Sequence, residues 1–184
     1  MQNEVVSFEN EKLILVDTRD NEIGSLDKSS CHDGEGVLHR AFSLFIFNLE
    51  GDLLIQQRAR NKRLWGGYWS NSVCSHPRVG EDMDTAVGRR LSQELGLVMP
   101  LSFAYKFEYQ TKFNEEGTEH ELCSVYVGHC DSQPKPNKTE IMAWRWIRPA
   151  ELTQQLINKP ELYTPWFKME WQRLNQDHAA LLSP

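Results

Sequence analysis

Apolar positions along the chain follow two different periods. Residues 12–17 (KLILVD) form a dense apolar run and predict a strand, closed by a turn at Asp20 and Asn21. Residues 39–47 are rich in aromatic and branched side chains and predict a buried strand. A turn over 48–52 and a returning strand over 53–57 follow in hairpin fashion. Gly34 and Gly36 make residues 31–38 a loop rather than a helix. Between 81 and 95 the period changes: Met83, Val87, Leu91 and Leu95 recur every four residues, acids fill the first turn, and Gly96 follows the last. That combination predicts a helix with its start and stop signals in place. Residues 103–109, 122–130 and 141–147 predict strands, and 131–137 (DSQPKPN) a surface loop. Thr164 before Pro165 is a capped helix start, and the helix is expected to run through Phe167, Trp171, Leu174, His178 and Leu181. Strands and helices are mixed along the chain, so the expected class is α+β, a mixed sheet flanked by helices.

Length and charge narrow the function. At 184 residues the chain is the size of one compact domain, expected over 11–184 behind an N-terminal tail of residues 1–10. It carries 26 acids against 20 bases, a net charge of −6. Broad nucleic-acid or anionic-membrane binding needs a field of positive charge and is not expected. A local basic pocket for a small anion remains open. No stretch approaches the ~18 to 20 apolar residues that cross a bilayer, and the N-terminus has neither a basic flank nor an apolar signal core. A cytoplasmic location is therefore expected. Four cysteines without a CxxC pair are expected to be reduced thiols.

Several residues carry chemistry by context. His32 and His39 flank the glycine loop, and His76 sits in NSVCSHP. Glu119 and Glu121 are two apart in a strand, which puts both carboxylates on one face. Three imidazoles and two carboxylates would make a mixed nitrogen and oxygen shell for a divalent cation. Each residue also has a bland reading, as a hydrogen-bonded histidine or a solvated strand end. Cys74 is either a buried small hydrophobe or a thiol made reactive by a nearby cation. The helix at 81–95 resembles a damaged Nudix box, Glu81 and then RRLSQELGL over 89–97. Arg90 and Gln93 stand where a hydrolase needs glutamates, and only Glu94 of those three survives.

Five segments together resemble the type I isopentenyl-diphosphate isomerases, a Nudix-fold family. They are the loop from His32 to His39, LWGGYW at 64–69, NSVCSHP at 71–77, Glu119 with Glu121, and TPWF at 164–167. Their order and approximate spacing agree over about residues 10–175, nearly the whole chain. The resemblance implies a Nudix-like mixed sheet and the interconversion of isopentenyl and dimethylallyl diphosphate. It implies that His32, His39, His76, Glu119 and Glu121 hold manganese, magnesium or zinc. Cys74 and Glu121 match the catalytic pair, and Tyr109 would assist Glu121. Glu94 matches the ligand of a magnesium ion arriving with the substrate diphosphate, with the Cys74 carbonyl a further candidate. Lys28, Arg58 and Lys62 match the diphosphate-binding cations. Tyr109 and Trp166 match the aromatic lining of the hydrocarbon end.

The implied reaction explains these residue types. A proton is added to a terminal alkene carbon and another is removed from the carbon two positions from the oxygen, through a tertiary carbocation. Alkenes are very weak bases, so the acid must be strong and the site dry. Trp166 offers an indole face to the cation, an attraction worth about 2 kcal/mol or more when desolvated. Two other readings compete: a Nudix hydrolase acting on a nucleoside diphosphate derivative, and a non-catalytic zinc module using His32, His39, Cys74 and His76. Missing box glutamates weigh against the first, and poor ligand spacing against the second. The partner is expected to be a small isoprenoid diphosphate, and the sequence leaves the oligomeric state open.

Overall fold

A computed structural model describes residues 3–183. Residues 1 and 2 of the expected tail, and Pro184, lie outside the described residues. Strand β3 (His39–Phe47) organises the rest. It is apolar at nearly every position because both of its faces are covered. Ala41, Phe45 and Phe47 face one core with Val125, Phe167 and Trp171. Phe42, Leu44 and Ile46 face a second core with Val87, Leu91 and Leu95.

Among the described residues nine strands form one mixed sheet. β1 (Lys12–Val16) and β2 (Glu22–Asp27) form an antiparallel hairpin at one side, followed by the one-turn helix α1 (Lys28–Cys31). β4 (Leu53–Arg58) turns back from β3 and pairs with β5 (Trp69–Ser70) and β9 (Ile141–Ile147). β6 (Val73–Ser75) lies antiparallel to β3, with Ser43 opposite Cys74. β7 (Ser102–Phe113) and β8 (Gly117–His129) form a long hairpin, and β8 runs parallel to β3 with His39 opposite Glu121. Helix α2 (Met83–Leu95) covers one face, while α3 (Pro149–Asn158) and α4 (Pro165–Asp177) cover the other.

Local signals account for the helix ends. Asp82 caps α2 by accepting from the Thr85 amide at 2.9 Å, and Gly96 closes it in the left-handed region at φ 64°. α4 starts at Pro165 as expected but ends at Asp177, and a separate 3₁₀ turn holds residues 179–181. The loop expected over 31–38 begins inside α1, since Cys31 is that helix's last residue. β2 and α3 had no clear signal. β2 is mostly exposed and lacks an apolar face, and α3 buries only Leu152. The segment before β1 packs against the body: Val6 is buried, and the Glu4 carbonyl accepts from the Asn137 side chain at 2.7 Å.

Candidate active site

Five donor atoms converge where four elements end. His32 caps the C-terminus of α1, His39 opens β3, His76 follows β6, and Glu119 and Glu121 lie on β8. Gly117 is needed here because a Cβ would collide with the His32 carbonyl, which instead accepts from the Thr118 amide at 2.9 Å. One ligand atom from each of the five residues lies within 4.8 Å of the others. His32 Nε2 and Glu119 Oε2 are 2.8 Å apart, yet neither makes an aligned hydrogen bond among the described residues. His39 Nε2 is likewise without a hydrogen-bond partner, while its Nδ1 lies 2.7 Å from the Val37 carbonyl. Buried polar atoms left unpaired around a common point are what a metal shell requires. The five donors therefore fit a divalent cation.

Electrostatics agree with that fit. Burial and the imidazoles of His76 and His32 push His39 down to about 3. Burial and His32 also hold His76 well below its usual range. Both are neutral rings, the form that offers a lone pair. Burial opposes ionisation of Glu119, but the adjacent His32 outweighs it and lowers the carboxyl. Burial, reinforced by the Glu119 charge, pushes Glu121 up to about 7. The Tyr109 hydroxyl donates to Glu121 Oε2 at 2.7 Å.

A cavity of about 60 Å³ borders this cluster and is lined by all four remaining candidate groups: Cys74, Glu94, the cations Lys28, Arg58 and Lys62, and the aromatics Tyr109 and Trp166. An adjoining cavity of about 180 Å³ shares Lys28, Arg58 and Lys62. Arg58 reaches toward the apolar end. Its Nη1 donates to Cys74 Sγ at 3.3 Å, and its guanidinium sits 5.2 Å over the Trp166 ring. Burial pushes the Cys74 thiol up to about 12, against the influence of Arg58. Of the two readings of Cys74, the thiol lowered by a neighbouring cation is therefore not what these side chains alone provide. The neutral ring of His76 supplies no positive charge to lower it.

The opposite wall is a row of buried charges. Lys62 pairs with Glu140, Arg90 Nη2 donates to Glu140 Oε2 at 3.1 Å, and Arg90 Nε donates to Glu94 Oε1 at 2.9 Å. Arg90 also donates to the Val6 carbonyl at 2.6 Å, and Lys28 to Ser7 Oγ at 2.8 Å, so the N-terminal segment forms part of the wall. Glu140 was missed at the sequence level because no motif marks it. Arg90 was noted only as a lost box glutamate, whereas the structure makes it the partner of Glu94. Of the other basic residues near Arg58, Arg63 is engaged with Asp33 and the Glu116 carbonyl, and Arg60 is exposed.

Comparisons with known proteins agree with this arrangement. The NUDIX domain family matches residues 37–167. An isopentenyl-diphosphate Delta-isomerase 1 from Photorhabdus laumondii is 45% identical over 170 residues, covering 91% of this chain and 97% of that protein. An isopentenyl-diphosphate Delta-isomerase from Burkholderia multivorans is 44% identical over 157 residues, covering 85% of this chain and 89% of that one. Among solved structures, DR0079 from Deinococcus radiodurans superposes with a TM-score of 0.74 at 23% identity over 89% of this chain and 98% of that one, a likeness of fold. No helix among the described residues is long and apolar enough to cross a membrane.

Proposed function

The chain belongs to the NUDIX family and, within it, to the isopentenyl-diphosphate Delta-isomerases, and from that membership we propose how its side chains carry the reaction. It is an isomerase that interconverts isopentenyl and dimethylallyl diphosphate. We assign manganese, magnesium or zinc to His32, His39, His76, Glu119 and Glu121, and a magnesium ion accompanying the diphosphate to Glu94. A cation bound to the five donors would fix the Glu121 carboxyl and sharpen the acidity of its proton.

Glu121 delivers its proton to the terminal alkene carbon. Tyr109 holds that carboxyl through the 2.7 Å hydrogen bond. Cys74 takes the proton from the carbon two positions from the oxygen, with Arg58 3.3 Å from its sulfur to offset the thiolate charge. One proton enters the substrate and one leaves, so the reverse reaction exchanges the two roles. Trp166 is buried against Tyr109 and Trp65, and its ring shields the carbocation from water. Lys28, Arg58 and Lys62 bind the diphosphate, with Arg58 able to grip two oxygens at once. The four cysteines are free thiols, the state a reducing cytoplasm maintains and Cys74 requires.

The observation that carries this reading is the convergence of five donor atoms within 4.8 Å beside a cavity that also holds Cys74. Incubation with isopentenyl diphosphate and a divalent metal in deuterated water tests it. Deuterium is expected in both the product and the recovered substrate. Cys74→Ala is expected to abolish turnover while leaving the fold and bound metal intact, and normal turnover there would remove the thiol from the mechanism. Phosphate release without a shifted double bond would favour a hydrolase instead.

A further inference from the structure

One buried ionisable side chain behind the reactive thiol has no place in this scheme. Glu170 is 0% exposed in α4, one helical turn after Trp166. No lysine, arginine or histidine pairs with it among the described residues, and its Oε2 makes no hydrogen bond there. An unpaired carboxylate in such a place is strongly disfavoured. Burial accordingly pushes its carboxyl up to about 8. The groups around it are few. Cys123 Sγ on β8 lies 3.6 Å from Glu170 Oε1 and 3.5 Å from Ser43 Oγ on β3. Tyr105 on β7 donates to the Glu170 backbone carbonyl at 3.1 Å, and Glu121 on β8 and Cys74 on β6 are near enough to feel its charge. Ser43 stands directly opposite Cys74 in the β3–β6 ladder, which places both side chains on one face of the sheet.

Building on the isomerase reading, we propose that Glu170 is a positioning residue for proton transfer at Cys74: as a neutral carboxylic acid it donates to Ser43 Oγ, so that the Ser43 hydroxyl turns its own hydrogen toward the Cys74 sulfur. A carboxylic acid must place its one hydrogen on an acceptor, and the Ser43 hydroxyl beside it is one; the same contact with Ser43 as donor favours the ionised carboxyl, but burial outweighs it, which leaves Glu170 as the donor. With its lone pair occupied, Ser43 donates onward. The sulfur then has a donor from the sheet in addition to Arg58. The Glu170 proton stays on Glu170 throughout. An ionised Glu170 could not donate, and its negative charge would oppose the thiolate.

Steady-state kinetics across pH on the metal-loaded enzyme, with Glu170→Leu, Glu170→Gln and Ser43→Ala, test this. Glu170→Leu and Ser43→Ala are expected to lower kcat about 10- to 100-fold, the size of losing one hydrogen bond to a charged acceptor, with KM unchanged. Glu170→Gln, whose amide still donates, is expected to stay within a few-fold of wild type at neutral pH. It is also expected to keep its activity above pH 8, where the wild type declines. The infrared difference between wild type and Glu170→Gln near neutral pH should contain the carbonyl stretch of a protonated carboxylic acid lost from position 170, beside any band that Glu121 keeps in both. Wild-type-like kcat in Glu170→Leu and Ser43→Ala, or a carboxylate spectrum for Glu170, overturns the proposal. If Glu170→Leu does not fold, the Ser43→Ala and Glu170→Gln pair decides. A wild type that binds metal but never shifts the double bond sinks the isomerase reading instead, and the infrared result still decides the state of Glu170.

Discussion

The two charged ends of the cavity are built on opposite principles. At one end His32, His39, His76, Glu119 and Glu121 bring their ligand atoms together, and three of those atoms have no hydrogen-bond partner among the described residues. At the other end Lys62, Glu140, Arg90 and Glu94 alternate in sign and satisfy one another. The first end is arranged for a cation that completes it. The second is already neutralised, so a diphosphate bound there as proposed would exchange partners rather than fill a gap. Preorganisation thus lies mainly at the metal end, and adaptability at the anion end.

The largest expected effect breaks the metal end. Glu119→Gln keeps the shape of the side chain but removes a charged donor that touches His32 at 2.8 Å. The variant is expected to lose most of its bound divalent ion, measured by elemental analysis, and its turnover with it. Chelation of the wild type should do the same, lower the melting temperature, and be reversed by added metal.

The next effect sharpens the contrast at the anion end. Glu140→Gln leaves Lys62 and Arg90 as buried charges short of a partner, a change that typically costs about 3–5 kcal/mol. A large drop in stability is expected in urea unfolding. Inorganic diphosphate with magnesium should still bind by calorimetry, because both cations remain. Lys62→Gln is expected to do the reverse, weakening diphosphate binding with less loss of stability. Equal loss of diphosphate binding in both variants would show that Glu140 orients the cations rather than merely neutralising them.

These two ends also differ in how far the sequence discloses them. The metal end was legible because its donors sit in dense local patterns: a histidine-flanked glycine loop, SVCSHP, and two glutamates on one strand face. β3 and α2 were legible for a related reason, since each has an unbroken apolar period. At the anion end the resemblance marks Lys28, Arg58, Lys62 and Glu94, but neither Glu140 nor the pairings were legible. Arg90 meets Glu140 across 50 residues and Lys62 meets it across 78, and neither pairing leaves a local trace. The N-terminal segment reads as a tail because two of its anchoring contacts are made by backbone carbonyls, Glu4 to Asn137 and Val6 to Arg90, which any sequence could supply. The setting of the thiol was hidden for a physical reason too. The neighbouring His76 is discharged by burial, and among the described residues the cation on Cys74 is Arg58, from another strand.

A moderate effect is expected on the pH dependence of stability. Glu170 keeps its proton in the fold up to about 8, against an ordinary 4.5. Across that window the unfolded chain has lost a proton that the folded chain retains, so stability falls as pH rises. The cumulative loss is on the order of 3 kcal/mol by pH 7. Glu170→Gln removes the titration, so its urea-unfolding free energy should decline less than that of the wild type between pH 5 and pH 8. Parallel declines would mean that Glu170 is not the group responsible.

The smallest effect concerns the aromatic wall between the two ends. Trp166 is 2% exposed, stands edge-on to Trp65 at 5.2 Å, and has Arg58 over its face. Phenylalanine keeps an aromatic face but loses indole area and the stronger quadrupole. Since the whole cation–π term is about 2 kcal/mol when desolvated, the part lost should be about 1 kcal/mol, a several-fold fall in kcat. KM should hardly move if, as proposed, the ring meets the hydrocarbon end while the cations hold the diphosphate. Trp166→Leu removes the ring's electron face altogether and should lower kcat further than Phe at similar KM. Equal rates for Phe and Leu would reduce Trp166 to a packing residue, and the carbocation would then depend on the exclusion of water alone.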